Sequence, residues 1–433
     1  MRDFRELHGT DLLARVEPFY HWKQARRNEG FWPYSKAMEE APQPVTAAID
    51  DHGRRIRGIN FSSQDYLGLA SHPAIKETAK ATIDEFGVHS AGSSALSGNT
   101  KYSLALERTI ADFLGMKHTA LYPTGWAAGY GVIKALVRPE DHVVMDGLAH
   151  ACLQEGANSA TRNIHLHGHL SIDSVRRHLK RIRSRDTVNG ILVVTESLFS
   201  MDSDTPDLAA LQALCREFDA KLVVDVAHDL GCLGEDGRGH IGMQNMLGKV
   251  DLVMGSFSKT FASNGGFVAT HSPAVREYLK FYGCAATFSN ALSPVQCATV
   301  LKAFEIISSP EGKTRRDTLM ERVLYLRAQL EAAAFEVMGA PSAIVPVVVG
   351  PEALARMVCR KLPALGIVAN LVEYPAVAKG NARLRLQVMA SHSADNIDAL
   401  VKGLRVASDA VAASYQLYCT RLAGSAPLQA VGA

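Results

Sequence analysis

The sequence lacks the features that mark membrane-spanning, disulfide-bonded or nucleic-acid-binding proteins. No apolar run approaches the ~18–20 residues that a membrane-spanning helix needs. The seven cysteines are an odd number and form no CxxC pair, which favours reduced thiols over a disulfide or zinc framework. The formal net charge is only +2, so we expect no general attraction to nucleic acid or to an anionic membrane.

The N-terminal stretch "MRDFRELHGTDLLARVEPFY" does not resemble a secretory signal, because charged side chains are spread throughout it. Together with the unpaired cysteines, this predicts a soluble cytoplasmic protein without an integral membrane segment and without a nucleic-acid partner. With 433 residues, of which 47% are hydrophobic, the chain is long enough for two or three domains with a large core.

Short apolar runs alternate with helical patterns between residues 59 and 310. Several of these runs are apolar almost throughout, as strands buried on both faces are. They are "HTALYPTG" (118–125), "DHVVMDG" (141–147), "GILVVTES" (190–197), "AKLVVDVAH" (220–228) and "VDLVMGSFS" (250–258). The alternation predicts an α/β fold with a mostly parallel central sheet, helices on both faces and sites at the carboxyl ends of the strands.

The regions on either side have different patterns. Residues 1–58 are charged and include "FWPYSKAMEEAPQPV", which predicts an irregular N-terminal arm preceded by a helix. Residues 311–420 combine a long amphipathic helix with strand-like runs and further helices, which predicts a small C-terminal α/β domain. Residues 421–433 are small and polar, so we expect a disordered tail.

Three polar residues and one glycine-rich turn follow strands of the predicted large domain. Asp225 lies among valines in "LVVDVAH", His228 ends the same run, and Lys259 follows the strand 250–258. The turn "PTGWAAGYG" (123–131) leads from a strand into a helix, whose N-terminal N–H groups suit a phosphate. Each feature alone is equally typical of ordinary structure: a hydrogen-bonded Asp, a core His, a surface Lys and a common helix start.

Pyridoxal phosphate (PLP) is a cofactor whose chemistry needs this combination of groups. It requires a lysine for the Schiff base, a carboxylate that keeps its ring nitrogen protonated, and donors for its phosphate. Two nucleotide sites are the competing interpretations. However, "GSFSKT" (255–260) lacks the GxxxxGK[ST] order of a P-loop, and no GxGxxG opens a helix in the N-terminal part of the sheet. We therefore predict PLP as the cofactor.

The order of motifs along the chain resembles the α-oxoamine synthases, a family of fold-type-I PLP-dependent transferases. The similarity runs from "INFSSQDYLGLASHP" at residue 59 to "ARLRLQVMASH", which ends at residue 392. It includes "SALSGNT", "TGWAAG", "LAHACLQEG", "TESLFSMDSD", "VVDVAH", "GEDGRG" and "SFSK". The resemblance implies a large PLP-binding domain (59–310) and a small C-terminal domain (311–420).

The resemblance also implies roles for individual residues. Lys259 corresponds to the Schiff-base lysine, Asp225 to the partner of the pyridine nitrogen, and His228 to a donor for the ring hydroxyl. His150 matches a histidine that stacks on the ring and completes the catalytic set. Further cofactor contacts are implied for Gly125, Trp126, Ser200, Ser256 and Ser289, and substrate contacts for Arg385, Gln64 and Glu196.

The reaction implied by the resemblance is a decarboxylative condensation of a small amino acid with an acyl thioester, which gives an α-amino ketone. Arg385 would hold the amino-acid carboxylate, a task that suits a planar guanidinium, and Lys259 would remove the α-proton. Coenzyme A or a carrier protein would deliver the acyl group. The stretch "SFSKTFASNGGFV" is more similar to the serine palmitoyltransferase branch of the family, which favours a long or carrier-bound acyl donor.

The resemblance further implies a homodimer with shared active sites, because "TFSNALSP" (287–294) is similar to a segment that reaches into the neighbouring subunit's site. Two departures bear on the substrate: Gln64 stands where the family usually has Asn, and Ala95 replaces a common Arg. An aminotransferase or a retro-aldol lyase on the same fold is the alternative activity. A catalytically silent partner subunit is disfavoured, because such a subunit would lack Lys259.

The stretch "IHLHGHL" (164–170) places His165, His167 and His169 on one strand face, which is conceivable as a metal site. No acidic or cysteine ligand is evident near them, so we expect structural or surface histidines and no metal. The arginine-rich stretch 176–185 is typical of a solvated helix face rather than a nucleic-acid site.

Overall fold

The computed structural model describes residue 4 and residues 6–424, which form two compact units. One unit contains residues 64–321 and 340–343. The other contains the described residues up to 63, residues 322–339 and the described residues from 344 onward. The predicted N-terminal arm thus belongs to the same unit as the C-terminal region, and the domain boundaries given by the sequence stay a prediction.

The secondary structure alternates strands and helices through most of the chain. The strands are β1 (Ala37–Met38), β2 (Val45–Ile49), β3 (Arg55–Asn60), β4 (His118–Tyr122), β5 (His142–Asp146), β6 (Ile164–His167), β7 (Ile191–Glu196), β8 (Lys221–Asp225), β9 (Leu252–Ser256), β10 (Gly266–Thr270), β11 (Glu336–Val337), β12 (Ile344–Gly350), β13 (Ile367–Val368), β14 (Asn370–Val372) and β15 (Ala382–Gln387). The α-helices are α1 (Glu17–Asn28), α2 (Pro73–Phe86), α3 (Lys101–Leu114), α4 (Gly125–Leu136), α5 (Ala151–Ala160), α6 (Ile172–Arg183), α7 (Leu208–Glu217), α8 (Gly239–Met243), α9 (Pro273–Tyr282), α10 (Cys284–Thr287), α11 (Pro294–Ile307), α12 (Pro310–Ala332), α13 (Glu352–Lys361) and α14 (Ala394–Gly424).

A seven-stranded sheet in the unit of residues 64–321 confirms the predicted fold class. Its strand order is β4-β10-β9-β8-β7-β5-β6, and only β10 runs antiparallel to its neighbours. All six residues of β7 are buried. The near-continuous apolar runs of the sequence are therefore strands with helices packed on both faces.

The carboxyl ends of the parallel strands lie at one edge of this sheet, where the chain turns into helices. β4 leads through Thr124, the N-cap of α4, and β5 leads to His150, the N-cap of α5. β7 ends at Glu196, β8 at Asp225 and β9 at Ser256. The topology itself brings these polar residues into one region.

In the other unit, the predicted irregular arm contains a hairpin. β2 and β3 pair antiparallel, and β3 pairs in parallel with β13 from the C-terminal region. The alternation along Arg55–Asn60 buries Ile56 and Asn60 and exposes Arg55 and Arg57, a strand pattern hidden among charged residues. A second sheet, in the order β11-β12-β15-β14, is antiparallel throughout.

No helix in the described part of the chain combines the length and the apolarity that crossing a bilayer requires. The predicted disordered tail (421–433) begins inside α14, which continues to Gly424. Residues 425–433 lie outside the described residues.

Candidate active site

A cavity of ≈ 220 Å³ lies where β4, β5, β7, β8 and β9 end. All the residues that line it belong to the unit of residues 64–321. The predicted site residues in its wall are Gly125, Trp126, His150, Glu196, Asp225, His228, Ser256 and Lys259. Gly125 and Lys259, which are 134 positions apart in the sequence, therefore line one cavity.

Four further predicted site residues are not part of this wall. Gln64, Ser200 and Ser289 belong to the same unit but do not line the cavity as the described residues form it. Arg385 lies on β15 in the other unit, where its side chain is buried. The roles that the sequence implies for these four residues stay predictions.

Two buried carboxyl groups lie side by side in the cavity wall. Glu196 and Asp225 are register partners in the parallel strands β7 and β8. Burial raises the pKa of Asp225, and the positive charges of His150 and Lys259 oppose this rise. Burial and then the charge of Asp225 raise the pKa of Glu196 well above its usual range, although its Oε1 accepts the backbone N–H of His150 at 2.6 Å. We therefore expect the proton on Glu196 and the negative charge on Asp225.

Replacing Glu196 with glutamine should stabilise the cofactor-free protein more at pH 8 than at pH 5. The pKa of a glutamate carboxyl is about 4.3 in the unfolded state. When its pKa in the folded state is higher, the stability that this carboxyl contributes to the fold is lost as the pH rises from the unfolded to the folded pKa. Glutamine does not titrate, so the variant escapes this loss, which is about 1.4 kcal/mol for each unit of pKa difference. Thermal unfolding of both proteins at the two pH values measures the effect. An equal change in melting temperature at pH 5 and pH 8 would contradict the raised pKa.

The N-terminus of α4 forms an anion seat together with two serines. Thr124 caps this helix, and the N–H groups of its first turn have no partner within the helix. The hydroxyl oxygens of Ser256 and Ser258 lie 2.8 Å apart beside it. A Cβ added to Gly125 would come within 2.3 Å of Ser256 Cβ, so only glycine allows the helix to approach the serine this closely. Backbone donors, a helix dipole and hydroxyls together suit a phosphate.

Ser258 and Cys152 are polar residues of the wall to which the sequence assigned no role. Ser258 lies two positions after Ser256, and this spacing puts both hydroxyls on the same side of an extended chain. Cys152 lies two positions after His150, and its Sγ is 3.0 Å from Nδ1 of that histidine. Burial raises the pKa of the Cys152 thiol, so this side chain is an uncharged part of the wall.

His169, from the histidine-rich stretch, lies between acidic residues rather than in a histidine cluster. Its two ring nitrogens are 3.0 Å from carboxylate oxygens of Asp146 and Asp204. Burial acts to lower its pKa, but these hydrogen bonds outweigh burial and raise the pKa of His169 to about 10. His169, Asp202 and Asp204 are the one group among the described residues with the spacing of metal ligands. Because carboxylates occupy both ring nitrogens of His169, the group is a half-buried network of ion pairs.

The model of the aminotransferase class I and II family matches residues 56–404 of this chain. The 8-amino-7-oxononanoate synthase of Salmonella dublin is 36% identical over 351 residues, which make up 81% of this chain and 89% of that protein. The chain belongs to the α-oxoamine synthases, within the aminotransferase class I and II family. This confirms the family that the order of the motifs predicts.

Two further relatives extend the comparison. The structure of the S. paucimobilis serine palmitoyltransferase with bound PLP–myriocin aldimine matches with a TM-score of 0.86 at 26% identity, over 93% of this chain and 99% of that one. The 4-hydroxy-2,2'-bipyrrole-5-methanol synthase PigH of Serratia sp. is 30% identical over 400 residues, which are 92% of this chain but 60% of PigH.

As an α-oxoamine synthase, the protein is a PLP-dependent acyltransferase that condenses an amino acid with an acyl thioester. The cavity fits PLP on three independent grounds. Gly125 leaves room for a phosphate at the N-terminus of α4, where an added Cβ would lie 2.4 Å from Ser256 Oγ. Asp225 is a buried carboxylate suited to a protonated ring nitrogen, and Lys259 is the lysine of the cavity wall.

Replacing Gly125 with alanine should weaken PLP binding by about 5- to 150-fold, which corresponds to an overpacking cost of roughly 1–3 kcal/mol. The new methyl group would displace Ser256 from the anion seat. Titration of the cofactor-free protein with PLP, followed by absorbance, measures the dissociation constant. Gly168→Ala is the matched control, because its added Cβ would meet nothing closer than Ser171 Cβ at 3.7 Å. Equal affinities of the two variants would contradict a phosphate seat at Gly125.

Proposed function

We propose that this α-oxoamine synthase condenses a small amino acid with an acyl thioester in the cavity of residues 64–321, with loss of CO2. The observation that carries the proposal is the presence of Lys259, Asp225 and the anion seat of α4 in one cavity wall. When bound, PLP supplies the electron sink that stabilises negative charge on the substrate α-carbon.

Lys259 has two roles in this proposal. Its amine would hold the cofactor covalently, and the same amine, when free, would take the α-proton from the amino acid. Lys259 lies just after β9, in a turn where Ser258 precedes it and Gly265 also lines the cavity. The position at the end of a strand holds the backbone of Lys259 in place while its long side chain can move between the two tasks.

Asp225 would keep a positive charge on the cofactor ring. A buried carboxylate makes a strong charge-assisted hydrogen bond with a protonated ring nitrogen. Asp225 Oδ1 also accepts the backbone N–H of Ala227 at 2.9 Å, which holds the carboxylate in one orientation. His150 follows β5 at the start of α5, and from the cavity wall it would cover a face of the ring.

The remaining contacts rest on the family resemblance. Arg385 would bind the carboxylate of the amino acid, and Ser200, Ser289 and Gln64 would complete the cofactor and substrate contacts. The small amino acid also rests on this resemblance. A long or carrier-bound acyl donor is supported by the likeness of "SFSKTFASNGGFV" to the serine palmitoyltransferase branch.

A homodimer in the cytoplasm completes the proposal. The segment 287–294 forms hydrogen bonds with an earlier part of the same chain. Ser93 Oγ donates to the carbonyl of Thr287 at 2.7 Å, and the N–H of Ala291 donates to the carbonyl of Gly92 at 2.8 Å. Phe288, within this segment, is 88% exposed, and in this proposal the second subunit covers it. The six cysteines described are free thiols, which suits a reducing compartment.

The proposal is tested by measuring free thiol and CO2 with purified holoprotein. Single amino acids are first titrated while the cofactor absorbance is followed, and acyl-CoA and acyl-carrier-protein substrates of graded chain length are then added. We expect one thiol and one CO2 released for each product molecule, with one amino acid strongly preferred. Transfer of the amino group to a keto acid without thiol release would instead assign the alternative activity, an aminotransferase.

A further inference from the structure

Tyr66 contacts a residue of the cavity wall but does not line the cavity itself. Its hydroxyl oxygen is 3.1 Å from Nδ1 of His228, and both side chains are buried. His228 lines the cavity, whereas Tyr66 does not. The phenol therefore contacts the imidazole through Nδ1, and a group bound in the cavity would meet the ring through Nε2.

The backbone beside His228 is held by a separate network. The carboxylate of Asp229 is fully buried and accepts the Ser197 hydroxyl at 2.7 Å and the backbone N–H of His240 at 2.7 Å. His240 Nδ1 lies 3.0 Å from the same carboxylate. With the backbone fixed in this way, Tyr66 can act on the state of the His228 ring through its contact with Nδ1.

We propose that Tyr66 fixes the Nε2–H tautomer of His228 and so makes His228 a hydrogen-bond donor to the ring oxygen of PLP. A neutral imidazole has one donor and one acceptor nitrogen. In this proposal the phenol O–H donates to Nδ1, which requires the imidazole proton to be on Nε2. The proposal rests on the role proposed above for His228. Tyr66 is a positioning residue, because it acts through His228.

The consequence is a change in the ionisation of the bound cofactor. The ring oxygen of PLP carries negative charge when it is ionised, and an N–H donor stabilises that form. Without the phenol, the imidazole can carry its proton on Nδ1 and present a lone pair from Nε2, which favours the protonated ring oxygen. Loss of Tyr66 should therefore raise the pH at which the ring oxygen ionises.

The pH dependence of the cofactor absorbance in holoprotein tests this proposal. Tyr66→Phe should move the midpoint upward by about 0.5–1 unit, the effect of one hydrogen bond. It should also weaken PLP binding by about 3- to 10-fold. Tyr122→Phe is the matched control, because Tyr122 is equally buried in the same unit and its hydroxyl has no hydrogen-bond partner among the described residues. This control should leave the midpoint unchanged.

A comparison of single and double variants separates a positioning role of Tyr66 from a role in packing. In proteins that carry His228→Asn, the further change Tyr66→Phe should alter PLP affinity by less than about 2-fold, because the imidazole through which Tyr66 acts is gone. His228→Gln serves the same purpose if the asparagine variant does not fold. An equal loss of affinity with and without His228, or a midpoint that stays or moves downward in Tyr66→Phe, would overturn the proposal. A wild-type protein that binds no PLP would overturn the proposed function instead.

Discussion

Replacing Lys259 with alanine is expected to lower the turnover number for thiol release by at least about 10⁴-fold. The reason is that one side chain has two tasks, covalent attachment of the cofactor and proton transfer at the substrate α-carbon. A positioned general base alone contributes about 10²- to 10⁴-fold. Steady-state assays with saturating PLP and both substrates measure the loss.

Lys249→Ala is the matched control for this prediction. Lys249 precedes β9 and Lys259 follows it, so the two lysines lie at opposite ends of one strand. Lys249 does not line the cavity as the described residues form it, and its loss should change turnover by less than about 2-fold, as is usual for a surface residue. Turnover above about 1% of wild type in Lys259→Ala would contradict both roles assigned to this lysine.

The second large effect is expected for Asp225→Asn, which should slow exchange of the amino-acid α-proton by about 10²- to 10⁴-fold. Asparagine has nearly the same shape but carries no charge, so the protonated form of the cofactor ring nitrogen loses its stabilising partner. The ring then accepts less negative charge from the α-carbon. Nuclear magnetic resonance in D2O measures α-proton exchange with the amino acid alone, before any acyl thioester is involved.

Glu196→Gln distinguishes between the two carboxyl groups. The two residues are register partners, but only Asp225 is assigned the negative charge, because burial and the charge of Asp225 raise the pKa of Glu196 well above its usual range. Glutamine resembles a protonated glutamic acid, so Glu196→Gln should retain at least about a tenth of the wild-type exchange rate. If Glu196→Gln lost as much activity as Asp225→Asn, the charge would have to be reassigned to Glu196.

The sequence was most informative about the strands and the residues that directly follow them. Apolar runs predicted β4, β5, β7, β8 and β9, because a strand that is buried on both faces consists almost entirely of apolar residues. Asp225 could be singled out for the same reason, since a charged residue inside a buried run needs a partner. The order of the motifs then gave the family, which the 36% identity to a known 8-amino-7-oxononanoate synthase confirms.

Contacts set by tertiary packing were not predictable from the sequence. The pairing of Glu196 with Asp225 depends on the register between β7 and β8, which is decided by the whole sheet. The contact between Tyr66 and His228 joins residues 162 positions apart. The hairpin of β2 and β3 was missed because the charged residues on its exposed face mask a buried, alternating face.

Borohydride reduction of the holoprotein, followed by digestion and mass spectrometry, tests the central claim most directly. The reagent makes the bond between the cofactor and its lysine permanent, so the labelled peptide identifies the residue that holds PLP. We predict a single pyridoxyl group, attached to Lys259 in the stretch "GSFSKTFASNGG" (255–266). A label on another lysine, or an active holoprotein in which Lys259 remains unmodified after reduction, would contradict the assignment of this cavity as the active site.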